Sequence, residues 1–176
     1  PALKAIGPIR QSLGIRTFFN LLGPLVNPCK PKFQITGVYN AEIGQFYQQI
    51  LQNSDSEFNI LHAQDGYDEI SLTSNIDVWT ASENYELPFT QFVKKAFLFE
   101  DIEGGETKEA AAKIFLEIIQ GNGTNAQNEV CIANAAMGIA LYKKIPLEAA
   151  INEARRSIEN GKAFESFQKL KSIYQQ

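Results

Sequence analysis

Apolar residues recur along this chain with two different periods, both present in its first half and only the helical one in its second. Ala2, Ala5, Ile6, Ile9 and Leu13 stand at helical spacing, with Gly14 as a stop. Pro8 predicts that this helix is kinked or begins near Gly7. Residues 16–31 contain Gly23-Pro24, Asn27-Pro28 and Pro31, which predict irregular backbone. The same stretch holds Phe18, Phe19, Leu21, Leu22 and Leu25, so it must pack on something, and loops of that kind often line sites.

Gln34 to Tyr39 reads as a strand, Glu42 to Gln52 as a helix with Ile43, Phe46, Tyr47, Ile50 and Leu51 on one face, and Phe58 to Ala63 as a second strand. This unit predicts a right-handed crossover between parallel strands. Ile70 to Thr73 and Val78 to Ala81 read as short strands, with a hairpin across Ser74-Asn75, and Glu86 to Phe89 as another. The rest is helical. Thr107 caps a helix to about Ile119, closed by Gly121. Ala126 to Tyr142 is apolar on nearly every face and predicts a buried helix. Pro146 opens the next at its first helical position, with Leu147, Ala150, Ile151, Ala154 and Ile158 inward and Gly161 closing it. A last helix carries Phe164, Phe167, Leu170 and Tyr174.

The expectation is an α/β fold over residues 1–176 as a single domain: a partial, mostly parallel sheet flanked by helices. A mostly parallel sheet needs more strands than are visible to cover these helices, which predicts that part of the domain lies upstream of Pro1. Composition agrees with an ordinary globular chain, 44% hydrophobic and 20% charged. A net charge of −4 speaks against a phosphate-neutralising surface, hence against nucleic acid as a partner. No window is apolar and long enough to span a bilayer. Cys29 and Cys131 lack metal-ligand spacing and read as free thiols of a reducing, cytoplasmic setting.

Chemistry concentrates in Asp65-Gly66-Tyr67-Asp68-Glu69, directly after the second strand, where open α/β sheets bind ligands. Three carboxylates within five positions repel one another, and a hard cation relieves that repulsion. The residues alone leave two readings open: a cation site, or a solvated acidic turn bent by Asp-Gly. Asp68 and Glu69 serve one ion only if the backbone turns there; otherwise each serves its own.

Two segments carry a resemblance. Asp65-Gly66-Tyr67-Asp68-Glu69-Ile70-Ser71 resembles the Asp-Gly-x-Asp-Glu-(Ile/Leu)-Ser segment of anthranilate phosphoribosyltransferases. The run from Arg10 through Gly14-Ile15-Arg16-Thr17 and Asn20-Leu21-Leu22-Gly23-Pro24-Leu25 to Pro28 is similar to that family's longer and more specific motif. Weaker similarity continues through Gly37-Val38-Tyr39, Gly104-Gly105 and Asn134-Ala135-Ala136 to the end. The resemblance implies the carboxy-terminal part of a catalytic domain shared by phosphoribosyltransferases and nucleoside phosphorylases. It implies Mg2+ on Asp68 and Glu69, anthranilate contacted by Arg10, and Gly23 in the loop near the substrate amine. The implied reaction transfers the phosphoribosyl group of phosphoribosyl pyrophosphate to anthranilate, in tryptophan biosynthesis, by a homodimer.

The family's Gly-Thr-Gly-Gly-Asp loop, its Lys-His-Gly-Asn segment and its helical amino-terminal region do not occur in these residues. The chain is therefore expected to be a fragment, inactive by itself. The alternatives are a pyrimidine nucleoside phosphorylase-like enzyme and a non-enzymatic nucleic-acid-binding relative. Without the resemblance, Arg10 reads as a surface ion-pair residue and Gly23-Pro24 as a rigid turn. Arg16 and Asn20 read as structural, His62 as a satisfied core histidine, and Trp79 as packing. Gly104-Gly105 reads as a turn into a helix and Gly121-Asn122-Gly123 as a helix end. Asn134, polar on an apolar helix, must find hydrogen-bond partners. No residue stands out as a general base.

Overall fold

The computed structural model describes residues 19–174, and the chain divides into two compact units, Pro1–Pro31 and Lys32–Gln176. The predicted first helix and Arg10 fall outside the described residues.

In the first unit, the described part opens on helix α1, Phe19–Leu25, with Pro24 inside it. Irregular backbone was the expectation for this stretch. Pro24 stands one residue from the end of the helix. Val26 N–H still donates to the Leu22 carbonyl at 3.0 Å.

The second unit is built on β1 (Phe33–Gly37), α2 (Ala41–Leu51), β2 (Glu57–Ala63), β3 (Ile76–Trp79) and β4 (Asn84–Leu87). Two short 3-10 turns, Phe89–Gln91 and Phe99–Ile102, lead into α3 (Lys108–Ile119), α4 (Asn125–Lys143), α5 (Leu147–Glu159) and α6 (Lys162–Tyr174). The strands pair in chain order, β1-β2-β3-β4. The β1–α2–β2 crossover is parallel as its pattern predicts. The mostly parallel expectation, however, fails among the described strands, because β2–β3 and β3–β4 are both antiparallel. The cause is local: residues 64–75 and 80–83 are short returns without a helix, and a return of that length reverses the chain. Ile70 to Thr73 is not a strand, and the hairpin closes over Thr80–Glu83, where Thr80 N–H donates to the Glu83 carbonyl at 2.8 Å.

β2 is the central strand, buried from Phe58 to Ala63 on both faces. Alternation then assigns its neighbours. On one face Leu61, Ile76, Val78 and Leu87 form a core with Ala133 and Met137 of α4. On the other, Gly44 of α2 lies flat on the Trp79 ring, where a Cβ would stand 2.6 Å from the ring carbons. α4 is less enclosed than its composition predicts: Ala126, Ile132, Ala133, Ala136 and Met137 are buried, while Tyr142 near its end is exposed. α5 covers the next flank with Ala150, Ala154 and Ile158, and Arg155 grips Glu129 of α4 through two bonds of 2.5 and 2.7 Å. Pro146 sits at the cap position of α5, one residue before the predicted place. Thr107 and Gly121 bound α3 as read, the Thr107 hydroxyl accepting from Ala110 N–H at 3.1 Å. On α6, Phe167 meets Phe115 of α3 edge to face at 5.1 Å, while Leu170 and Tyr174 are exposed.

Candidate functional site

β2 ends at Ala63, and the chain turns at once through Gly66, whose φ of +103° suits glycine. Gly66 N–H donates to the Ala63 carbonyl at 2.8 Å, and Ala63 N–H to the Tyr67 carbonyl at 3.0 Å. Asp65 is drawn into the loop itself: its carboxylate accepts from the Thr73 hydroxyl, and its N–H donates to Ser74 Oγ at 3.3 Å. That engagement separates Asp65 from the acidic pair. Asp68 and Glu69 follow where the backbone bends, and both are exposed.

Directly after them the chain dives. Ile70, Ser71 and Leu72 are almost fully buried, and Leu72 holds a left-handed φ of +61°. A bulky residue in that region costs about 1–3 kcal/mol, so the surrounding packing must hold it there. Part of that support is Phe97 N–H, which donates to the Leu72 carbonyl at 3.0 Å.

Two more distant residues brace the pair from either side. Gly37 closes β1 so tightly against the loop that a Cβ there would lie 1.4 Å from the Asp68 carbonyl oxygen. Asn134 of α4 spends its side-chain amide on Ile70. Its Oδ1 accepts from Ile70 N–H at 3.0 Å, and its Nδ2 donates to the Ile70 carbonyl at 2.8 Å and to Val130 at 2.9 Å. The backbone of the acidic step is therefore held from both sides, while its two side chains stand exposed. Sequence reading singled out Asn134 as a residue needing partners but not what it holds. Sequence reading names Gly37 only within the weaker similarity of Gly37-Val38-Tyr39, because a glycine at a strand end gives no sign of what stands beside it.

Of the predicted site residues, Asp68 and Glu69 stand exposed in the loop after β2. Gly23 lies within α1 of the first unit, in a helix and not in the loop expected, and Arg10 is outside the described residues. His62 is buried, with Nδ1 3.0 Å from the Val38 carbonyl oxygen, the satisfied core histidine expected. Gly105 turns with φ +84° into α3, again as read. Both cysteines are free.

The electrostatics of the pair favour a cation. Burial by the surrounding loop, and then the neighbouring Asp68 charge, push the Glu69 carboxyl above its ordinary value even though the residue surface is exposed. Cys131, on α4 beside this loop, has its thiol raised by burial and then by Glu69. Among the described residues no three or more His, Cys, Asp or Glu gather into a metal cage. The pair thus offers two exposed carboxylates, with four hard oxygens between them. That fits an ion such as Mg2+, which keeps several waters and takes one or two carboxylates plus substrate phosphates.

A raised carboxyl has a stability consequence. Glu69 holds its proton more tightly folded than unfolded, so its ionisation destabilises the fold as pH rises through the unfolded and then the folded value. Glu69→Gln should therefore raise the melting temperature at pH 7 in EDTA, with the gain vanishing at a pH below both values. Thermal melts at the two pH values check this; a gain at low pH alone would contradict the sign.

The chain is 42% identical over 175 residues to the anthranilate phosphoribosyltransferase of Christiangramia forsetii, covering 99% of this chain and 53% of that protein. It is 44% identical over 172 residues to that of Bacteroides fragilis, covering 97% and 52%. The chain spans about half the length of the curated relatives it matches. Among solved structures, the anthranilate phosphoribosyltransferase of Saccharomyces cerevisiae in complex with PRPP and Mg superposes with a TM-score of 0.85 at 26% identity, covering 94% of this chain and 48% of that one. The enzyme from Thermus thermophilus gives 0.85 and 26%, covering 96% and 51%. Among the described residues no helix is long and apolar enough to cross a membrane. The glycosyl transferase family, a/b domain, matches residues 1–164, and the chain belongs to that family.

Proposed function

We propose that the protein carrying this chain is an anthranilate phosphoribosyltransferase of tryptophan biosynthesis, and that this chain supplies the metal-binding part of its site. The observation that carries the reading is the exposed Asp68-Glu69 step, braced by Gly37 and Asn134 at the carboxyl end of β2. The names of the relatives support it, as does the similarity to a yeast structure whose complex contains PRPP and Mg.

In this proposal Asp68 and Glu69 are the protein ligands of Mg2+. Bound there, the ion supplies positive charge that stabilises the departing pyrophosphate. The chain's own residues do the remaining work. Asp68 and Glu69, fixed in place, orient that charge toward the carboxyl end of the sheet, so no rearrangement is needed as charge develops. By the resemblance Arg10 contacts the anthranilate carboxylate, to which a guanidinium can offer two parallel hydrogen bonds. The anthranilate nitrogen then displaces the pyrophosphate oxygen at the anomeric carbon of the ribose, through a transition state of oxocarbenium character, and loses a proton. Positioning accounts for most of the rate. The protein works in the cytoplasm as a homodimer.

The test is loss of anthranilate fluorescence on mixing the intact protein with phosphoribosyl pyrophosphate and Mg2+. Consumption that stops in EDTA is expected. No consumption, or phosphorolysis of pyrimidine nucleosides in its place, would refute the reading.

A further inference from the structure

We propose that Asn134 is a positioning residue that sets the magnesium affinity of the Asp68-Glu69 pair; the inference rests on those two residues being the metal ligands. A peptide unit is planar, so holding one of its polar groups orients the whole unit. The Ile70 N–H belongs to the Glu69–Ile70 unit, and Asn134 Oδ1 holds it at 3.0 Å. The Asp68 carbonyl belongs to the Asp68–Glu69 unit, and it fills the space where Gly37 lacks a side chain. Both peptide planes flanking the Glu69 Cα are thus fixed, one by α4 and one by β1. The direction in which the Glu69 carboxylate leaves the backbone is fixed with them.

Asn134 is suited to this as few side chains are. One amide presents an acceptor and two donors, and it meets both backbone groups of Ile70 at once. Its second donor bond, to Val130 one turn back on α4, locks its own rotamer. An aspartate would lack the donors. Asn134 acts through the loop, as residues behind metal ligands do. The same bonds would also serve a purely structural role, so the readout must be one that structure alone does not move.

That readout is the half-saturating Mg2+ concentration of the intact enzyme, measured beside the KM for anthranilate. Asn134→Ala should raise half-saturating Mg2+ roughly tenfold to a hundredfold, the range for partners behind a metal ligand, with the KM for anthranilate within about twofold. A folded Asn134→Ala with unchanged Mg2+ dependence, beside an Asp68→Ala that loses it, would overturn the positioning role. If Asp68→Ala also leaves the Mg2+ dependence unchanged, the metal assignment itself fails. Should Asn134→Ala not fold, two further measurements decide. Asn134→Asp, which keeps an acceptor for Ile70 N–H but loses both donor bonds, should still raise half-saturating Mg2+ severalfold. In the unsubstituted enzyme, linkage requires Mg2+ to slow amide hydrogen exchange at Ile70. An unchanged Mg2+ dependence in Asn134→Asp, or exchange at Ile70 indifferent to Mg2+, would overturn the proposal.

Discussion

Asp68→Ala and Glu69→Ala, each in the intact protein, are expected to lower turnover of anthranilate by about a hundredfold to ten-thousandfold at fixed Mg2+. The magnitude follows from the role assigned to the pair. A bound divalent ion contributes several kcal/mol of charge stabilisation at a leaving pyrophosphate, and each 1.4 kcal/mol is a factor of about ten in rate. The fold should barely notice. Both side chains are exposed, neither closes a core, and surface changes of this kind stay within about 0.5 kcal/mol. Glu69→Ala should even melt slightly higher in EDTA, because it removes a carboxyl whose ionisation is disfavoured by burial and by Asp68. Activity lost with folding retained is the signature of a site. Steady-state kinetics across a Mg2+ titration, with melts of the same samples, separates the two effects. Variants that regain full rate at high Mg2+ would show weakened binding alone, and variants with unchanged rate throughout would remove the pair from the mechanism.

Gly37→Ala should be the most damaging methyl added at any of the described glycines. The new Cβ would stand 1.4 Å from a backbone oxygen, and backbone cannot swing aside as the tip of a side chain can. Overpacking of this kind costs about 1–3 kcal/mol and occasionally more. The upper end applies here, because Gly37 is paired with Leu61 in the ladder while the Asp68 peptide is anchored through Ile70. About 3 kcal/mol corresponds to a loss of roughly 6–12 °C in melting temperature for a chain of this size. The expected relief is displacement of the acidic loop, so Mg2+ affinity should fall in the same variant. Gly104→Ala is the control, since that position has open space around it and an ordinary φ. Equal melting temperatures for the two variants would show that the close approach at Gly37 is not real.

The contrast between Gly37 and Asn134 explains how much of this protein was legible beforehand. Elements with a strong period and local punctuation were readable: β1–α2–β2, the Thr107 cap of α3, and the inward stripe Ala150, Ala154, Ile158 of α5. Each is decided by residues within a few positions of one another. The segment after β2 was not readable as structure. Ile70, Ser71 and Leu72 have the composition of a strand, yet their burial serves an irregular loop held by Asn134, sixty-four positions away. The Asp68-Glu69 pair illustrates the remaining limit. Residue types alone left a cation and a bend both open, and a resemblance favoured the cation. What the fold adds is the bracing of both peptide planes around Glu69, a reason for the pair to be rigid as well as acidic.

The central claim, that Asp68 and Glu69 form one metal site, is tested most directly by anomalous diffraction. Crystals of the intact protein with Mn2+ in place of Mg2+, and with phosphoribosyl pyrophosphate present, should show an anomalous peak within coordinating distance of carboxylate oxygens of both residues. A peak that touches neither residue, or well-ordered substrate with no metal near the carboxyl end of β2, would contradict it.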